Sequence, residues 1–228
     1  MDPKERTRKT AFAFGAVILI LVSGVATAWG NYYFMQKNDI RVACVGDSIT
    51  QGSTYTKLLQ EKLGYTYCVG NFGLSGATVC RDARIPYIYQ EQFINAIEFN
   101  PDIVLIILGT NDANPEITYN QTTFTEDYNF IVNSFLNLES KPEVVVVDSP
   151  KMFVAPSSPY NDSYLINNVI PQVENVAYQH DLVSVDLYHL FAEHPDYFMD
   201  GVHPNEQGST LIADSMYNIV TSIAQTDE

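Results

Sequence analysis

Ser48 follows a short apolar run, Ile40 to Val45, that ends in Gly46 and Asp47. The run is too short for a helix and is bounded by glycine, which predicts a buried strand, and a helical pattern sets in near Tyr55. A serine at such a strand end has two uses. It can join Asp47 in capping the following helix. It can also act as a nucleophile, because helix-start N–H groups favour developing negative charge and open α/β sheets bind ligands beyond the carboxyl ends of their strands. A serine hydroxyl attacks only when a base takes its proton, and an imidazole is that base only when its tautomer is held. Asp200 and His203 are three residues apart, so their carboxylate and imidazole can face the same way on one turn of chain. Acyl chemistry also needs donors aimed at the developing oxyanion. The Ser48 N–H, the Gly76 N–H and the Asn111 side-chain amide can supply three.

These residues need a scaffold that gathers them. Apolar runs of strand length occur at Ile40 to Val45, Thr66 to Val69, Ile103 to Leu108, Val144 to Val147 and Leu182 to Val185. Helical patterns lie between and after them, at Tyr55 to Leu63, Tyr87 to Phe99, Phe124 to Leu138, Leu165 to Tyr178 and Glu206 to Ile223. Strands that are apolar throughout, alternating with helices, predict an α/β fold: a three-layer α/β/α arrangement around a five-stranded parallel sheet. In such a sheet the residue after each strand lies on one rim. Gly46-Asp47-Ser48, Asn71 to Gly76, Gly109 to Asp112 and Asp148-Ser149-Pro150 all fall there, and Asp200 to Pro204 precedes the last helix. The proline-rich stretch Ser149 to Tyr164 reads as a long surface loop beside the strand ends.

Four blocks together resemble the SGNH hydrolases, the GDSL esterase superfamily: G-D-S-I-T at Gly46 to Thr50, N-F-G-L-S-G at Asn71 to Gly76, G-T-N-D at Gly109 to Asp112 and D-G-V-H-P at Asp200 to Pro204. The likeness spans Ile40 to Ile223. It implies the flavodoxin-like SGNH fold, with Ser48 as nucleophile, Gly76 and Asn111 as oxyanion-hole residues beside the Ser48 amide, His203 as base and Asp200 as its orienting partner. No cofactor or metal is implied. The G-D-S-I-T-Q-G and L-G-T-N-D forms look most like the carbohydrate O-acetylesterases of that family. The expected reaction is hydrolysis of a carboxylic ester, acetyl above all, on a glycan through an acyl-enzyme. A lysophospholipase or short-chain lipase of the same family is the alternative within this chemistry, and a non-catalytic surface module that binds a ligand in the same cleft is the alternative outside it.

Composition narrows the partners. The 228 residues are 46% hydrophobic, enough for a sizeable core, and the formal charge of -15 argues against nucleic acid, which requires basic patches. Lys4, Arg6, Arg8 and Lys9 precede a run from Ala11 to Trp29 without a charge. Residues 1–29 therefore read as a cleaved signal peptide or a membrane anchor, residues 30–39 as a linker and residues 40–228 as the esterase domain. Both readings export the domain and leave the N-terminal segment as its one link to the membrane. Oligomeric state is not legible. Cys44, Cys68 and Cys80 have no metal-ligand spacing, and Cys44 and Cys68 sit in apolar runs as core residues do. His180, His189 and His194 read as structural, the last two flanking Phe191 without partner spacing. Asp47 and Asp112 read as caps and loop braces, and Tyr87, Tyr89, Tyr119, Tyr160 and Tyr164 as candidate stacking surfaces for sugar rings.

Overall fold

The computed structural model describes residues 40–114 and 121–226. The expected leader or anchor at 1–29, the linker at 30–39 and Tyr119 lie outside them. Five parallel strands form one sheet: β1 (Ile40–Gly46), β2 (Tyr67–Gly73), β3 (Ile103–Ile107), β4 (Glu143–Val147) and β5 (Val183–Val185), in the order β2-β1-β3-β4-β5. The helices are α1 (Ser48–Gly52), α2 (Tyr55–Leu63), α3 (Glu91–Glu98), α4 (Gln121–Leu136), α5 (Ile170–Gln179), α6 (Leu187–Leu190) and α7 (Glu206–Thr226).

Alternation along each strand divides the core into two layers. Ala43 and Val45 of β1, Val104 and Ile106 of β3 and Val144 and Val146 of β4 face one side, where Phe93 of α3, Tyr128 and Phe135 of α4 and Val173 and Val176 of α5 cover them. Val42, Cys44, Leu105, Ile107, Val145 and Val147 face the other, against Tyr55 and Leu59 of α2 and Ile212, Met216 and Val220 of α7. Both faces of the three central strands are thus dry, which is why their sequences carry unbroken apolar runs rather than a period of two. This is the predicted α/β/α sandwich. Among the described residues no helix is long and apolar enough to cross a membrane.

Three local readings differ from the structure. Strand β2 runs on through Gly70-Asn71-Phe72-Gly73, which its composition hides, because Cys44, Val45 and Gly46 of β1 pair with Asn71, Phe72 and Gly73. The expected helix from Tyr87 is broken: a 3-10 turn covers Tyr87–Tyr89, and α3 starts at Glu91 after the extended Gln90. The expected helix from Leu165 starts as one helical turn at Asp162–Tyr164 and a π-helical stretch at Leu165–Val169 before α5.

The chain passes from β1 to β2 on one side and then to β3 on the other, so β1 and β3 diverge at a topological switch point. Their carboxyl ends open the crevice in which such sheets bind ligands.

Candidate active site

Ser48 is the first residue of α1, directly beyond β1. Asp47 is its N-cap: one carboxylate oxygen accepts from the Ile49 N–H at 2.9 Å, and the Asp47 carbonyl accepts from the Gln51 N–H at 2.9 Å. The cap and the expected nucleophile are therefore neighbouring residues, and the capping task falls to Asp47. Asp47 is fully buried, and burial pushes its carboxyl up to about 6.

Ser48 Oγ lies 2.9 Å from Nε2 of His203, and Nδ1 of His203 lies 2.7 Å from Oδ2 of Asp200. The other oxygen of Asp200 accepts from the N–H groups of Val202 at 3.0 Å and His203 at 2.8 Å. Burial by itself would raise this carboxyl, but the bonds from the His203 ring and these two N–H groups outweigh it and hold it down at about 2. Asp200 is thus an anion at neutral pH, and it receives the Nδ1–H that leaves Nε2 free to accept a proton. Residues 155 positions apart in the chain meet here.

Several contacts fix the turn that carries the two residues. Its backbone is clamped by the Met199 N–H donating to the His203 carbonyl at 2.9 Å and by the bridge between Phe198 and Pro204. Gly201 has φ +85°, a conformation that a side chain would strain, and its Cβ position is occupied by the carbonyl of Phe153. The Gly201 carbonyl in turn accepts from the Phe153 N–H at 2.8 Å, which ties the segment after β4 to the Asp200–His203 turn. Asn205 then caps α7, its side-chain oxygen accepting from Gln207 and Gly208 at 3.0 and 3.2 Å.

The segment after β2 is bonded to the Ser48 strand end and helix, by the Leu74 N–H on the Gly46 carbonyl at 3.0 Å and the Ser75 N–H on the Gln51 side chain at 2.9 Å. Gly76 takes φ +77°, within the turn closed by the Ala77 N–H on the Leu74 carbonyl at 3.1 Å. Asn111 opens a 3-10 turn after β3 and is buried. Its Nδ2 donates to the Ala77 carbonyl at 2.9 Å, so the two expected oxyanion segments are bonded to each other. Asp112 is a brace, as its position suggested: its two oxygens accept from Val79 at 2.9 Å and Cys80 at 3.0 Å, and burial pushes it up to about 6.

Other expectations fare differently. Tyr87 is fully buried, with its hydroxyl on the Phe72 carbonyl at 2.6 Å, so it offers no face to a sugar. Tyr89 is exposed and Tyr164 half-buried. Tyr160 approaches the site through its hydroxyl, which donates to Oδ1 of Asn111 at 3.1 Å, a contact with no signature in the sequence. His180 bonds Asn129 at 2.7 Å and His194 stacks on Tyr197. His189 does have a partner: its Nδ1 is 2.7 Å from Oδ2 of Asp186, and its N–H donates to Oδ1 at 2.8 Å. The spacing Asp186-Leu187-Tyr188-His189 repeats that of Asp200 to His203 and was legible. Asp186 is also the N-cap of α6. Cys44 and Cys80 are buried free thiols and Cys68 a half-buried one. Among the described residues no cluster of His, Cys, Asp and Glu could hold a metal ion.

A groove of about 330 Å³ lies between the α1–α2 segment and the start of α7; Pro204, next in the chain to His203, lines it, and none of Ser48, Asp200 and His203 does. Gly52, at the end of the helix that Ser48 begins, lines it together with Lys57 and Leu58 of α2, Met199 and Asn205 on either side of the Asp200–His203 turn, and Glu206.

The GDSL-like lipase/acylhydrolase family model matches residues 44–211. An acetylxylan esterase of Xylanibacter ruminicola is 31% identical over 204 residues, an alignment covering 78% of this chain. The chain spans only 42% of that relative's length. A lipase/acylhydrolase from Enterococcus faecalis superimposes with a TM-score of 0.66 at 21% identity, over 80% of this chain and 96% of the other. The acetyl xylan esterase AlAXEase does so with a TM-score of 0.65 at 23% identity, over 79% of this chain and all (100%) of the other. At such identities these two structures speak for the fold alone. With four blocks in order, a five-stranded parallel sheet and a family match over most of its length, the chain belongs to the GDSL-like lipase/acylhydrolase family.

Proposed function

We propose that this chain is a serine esterase that removes acetyl groups from a carbohydrate, with Ser48, His203 and Asp200 as its triad. The observation that carries the reading is the unbroken hydrogen-bond chain from Asp200 through His203 to Ser48 at the head of α1. In the first half-reaction Ser48 Oγ attacks the ester carbonyl while His203 Nε2 takes its proton. The negative charge moves to the carbonyl oxygen, where the N–H groups of Ser48 and Gly76 and an Nδ2–H of Asn111 receive it. Collapse breaks the bond to the sugar oxygen, which leaves with the proton from His203. Water then gives its proton to the same nitrogen and attacks the acyl-enzyme, releasing acetate and restoring Ser48. Asp200 stays ionised throughout and stabilises the transient imidazolium.

Two features support a carbohydrate as the alcohol part. The relative with the acetylxylan name is 31% identical over 78% of this chain, and the groove at the start of α7 mixes hydroxyl, amide and charged groups with the apolar side chains of Leu58 and Met199. Sugars present that mixture of polar edges and apolar faces. The basic N-terminus and the uncharged run after it support action outside the cell.

The test is acetate release from acetylated xylan, O-acetylated sialic acid and peptidoglycan, with Ser48→Ala as control, alongside p-nitrophenyl esters of increasing chain length. Release from a glycan that is lost in the control is the expected result. A preference for long acyl chains would overturn the glycan reading in favour of a lipid substrate, and no hydrolysis of any ester would leave a binding module.

A further inference from the structure

An asparagine can stabilise an oxyanion in only one of its two amide orientations, and rotation about its last side-chain bond is soft and roughly two-fold. In this protein both ends of the Asn111 amide are held. The Ala77 carbonyl can only accept, so it selects the nitrogen, at 2.9 Å. The Tyr160 hydroxyl donates to the oxygen, at 3.1 Å. One Nδ2–H is used by Ala77, and with the amide plane pinned at both ends the second keeps a fixed direction.

Tyr160 reaches this position from the loop after β4, and that loop is fastened to the same turn that bears Asn111. The Asn161 N–H donates to the carbonyl of Ala113, the last residue of the Asn111–Ala113 turn, at 3.1 Å. The Tyr160 N–H donates to Ser158 Oγ at 3.1 Å, and the Asn161 side chain accepts from the Tyr164 N–H at 3.0 Å. The Tyr160 ring is half-buried against the core. The hydroxyl is therefore delivered by a braced loop. A donor on Oδ1 also polarises the amide and makes its N–H groups stronger donors, an effect that grows as negative charge develops opposite them.

We propose that Tyr160 is a positioning residue of the esterase: its hydroxyl locks the Asn111 amide so that the free Nδ2–H points at the carbonyl oxygen of the ester. The proposal rests on the esterase reading above. Because the interaction gains most in the transition state, its loss lowers kcat and leaves KM nearly unchanged.

The experiment is a double-mutant cycle on p-nitrophenyl acetate with Tyr160→Phe, Asn111→Ala and the pair. The phenylalanine keeps the ring and its packing. Tyr160→Phe is expected to lower kcat about fivefold, the effect of losing one neutral hydrogen bond, with KM within about twofold of the parent. Asn111→Ala is expected to lower kcat by about 10²-fold or more. With Asn111 already removed, Tyr160→Phe should cost nothing further. An unchanged kcat in Tyr160→Phe would overturn the proposal. So would the same fivefold loss in the Asn111→Ala background, because a merely structural tyrosine acts whether or not the amide is present. If the parent protein itself hydrolyses no ester, the esterase reading fails first, and that result is seen before any variant is compared.

Discussion

Replacing Asp200 by asparagine should harm this enzyme more than replacing it by alanine, and the hydrogen bonds say why. Oδ1 of Asp200 accepts from the N–H groups of Val202 and His203, while Oδ2 faces Nδ1 of His203 at 2.7 Å. Asparagine has one acceptor oxygen to offer. Turning its NH₂ toward the two backbone donors would break two hydrogen bonds, each worth on the order of 1 kcal/mol, and set donors against donors. The oxygen therefore stays with the backbone and the NH₂ faces the imidazole. His203 must then carry its proton on Nε2, where it cannot accept the proton of Ser48. The expected loss in kcat is about 10⁴-fold, or roughly 5.5 kcal/mol at 1.36 kcal/mol per decade. Alanine imposes no tautomer. The Asp200 side chain is 55% exposed, so water can reach its place and accept the Nδ1–H. A loss of about 10²-fold is expected, the lower end of what a positioned base contributes. Initial rates on p-nitrophenyl acetate near neutral pH measure both variants, with circular dichroism to confirm folding. An alanine variant as slow as the asparagine variant, or slower, would refute the reasoning.

Other perturbations test other parts of the molecule. A Cβ at Gly52 meets no atom within 4 Å, so Gly52→Trp fills the groove without disturbing the fold; KM on acetylated xylo-oligosaccharides should rise at least about fivefold while kinetics on p-nitrophenyl acetate stay within about twofold. Gly201→Ala combines a positive φ, costing about 1–2 kcal/mol, with a collision at the Phe153 carbonyl; kcat should fall more than about tenfold as the Asp200–His203 turn shifts, and thermal unfolding should show a lower Tm. Asp148 is buried beyond β4, and burial, with Glu174 and Asp186 adding to it, pushes its carboxyl up to about 7. A folded-state value raised above the ordinary carboxylate value of about 3.9 means that its stabilising contribution is full below about pH 4 and is lost as pH rises through about 7. Asp148→Asn should therefore raise Tm at about pH 8, with the gain shrinking at about pH 5; a pH-independent difference in calorimetry would contradict this.

The sheet was largely legible because its central strands are buried on both faces, and Ile103 to Ile107 and Val144 to Val147 have no other plausible use. What escaped was decided by partners far away in the chain. Gly70 to Gly73 is a poor strand by composition and becomes one only because β1 offers a ladder. In α7 the helical pattern alone does not say which residues face the sheet: Met216 is fully buried, while Tyr217 and Ile219 pack only at the edge of the core. The candidate site divides in the same way. Ser48, Gly76, Asn111, Asp200 and His203 lie in short blocks whose spacing advertises them. Tyr160 lies in a loop without pattern, 49 residues from the amide it contacts, and only the folded chain connects them.

The twin of the Asp200–His203 turn has an experimental use. Asp186 and His189 reproduce the carboxylate–imidazole pair of Asp200 and His203, down to the 2.7 Å Nδ1 contact and the 2.8 Å N–H bond, but without a serine at the far nitrogen. Nature has placed an internal reference in the same molecule. In an imidazole ¹⁵N spectrum the two rings experience the same temperature and ionic strength, and their divergence combines the Ser48 contact with a difference in exposure, 70% for His189 against 35% for His203. A covalent serine inhibitor should then move one set of resonances and leave the other still.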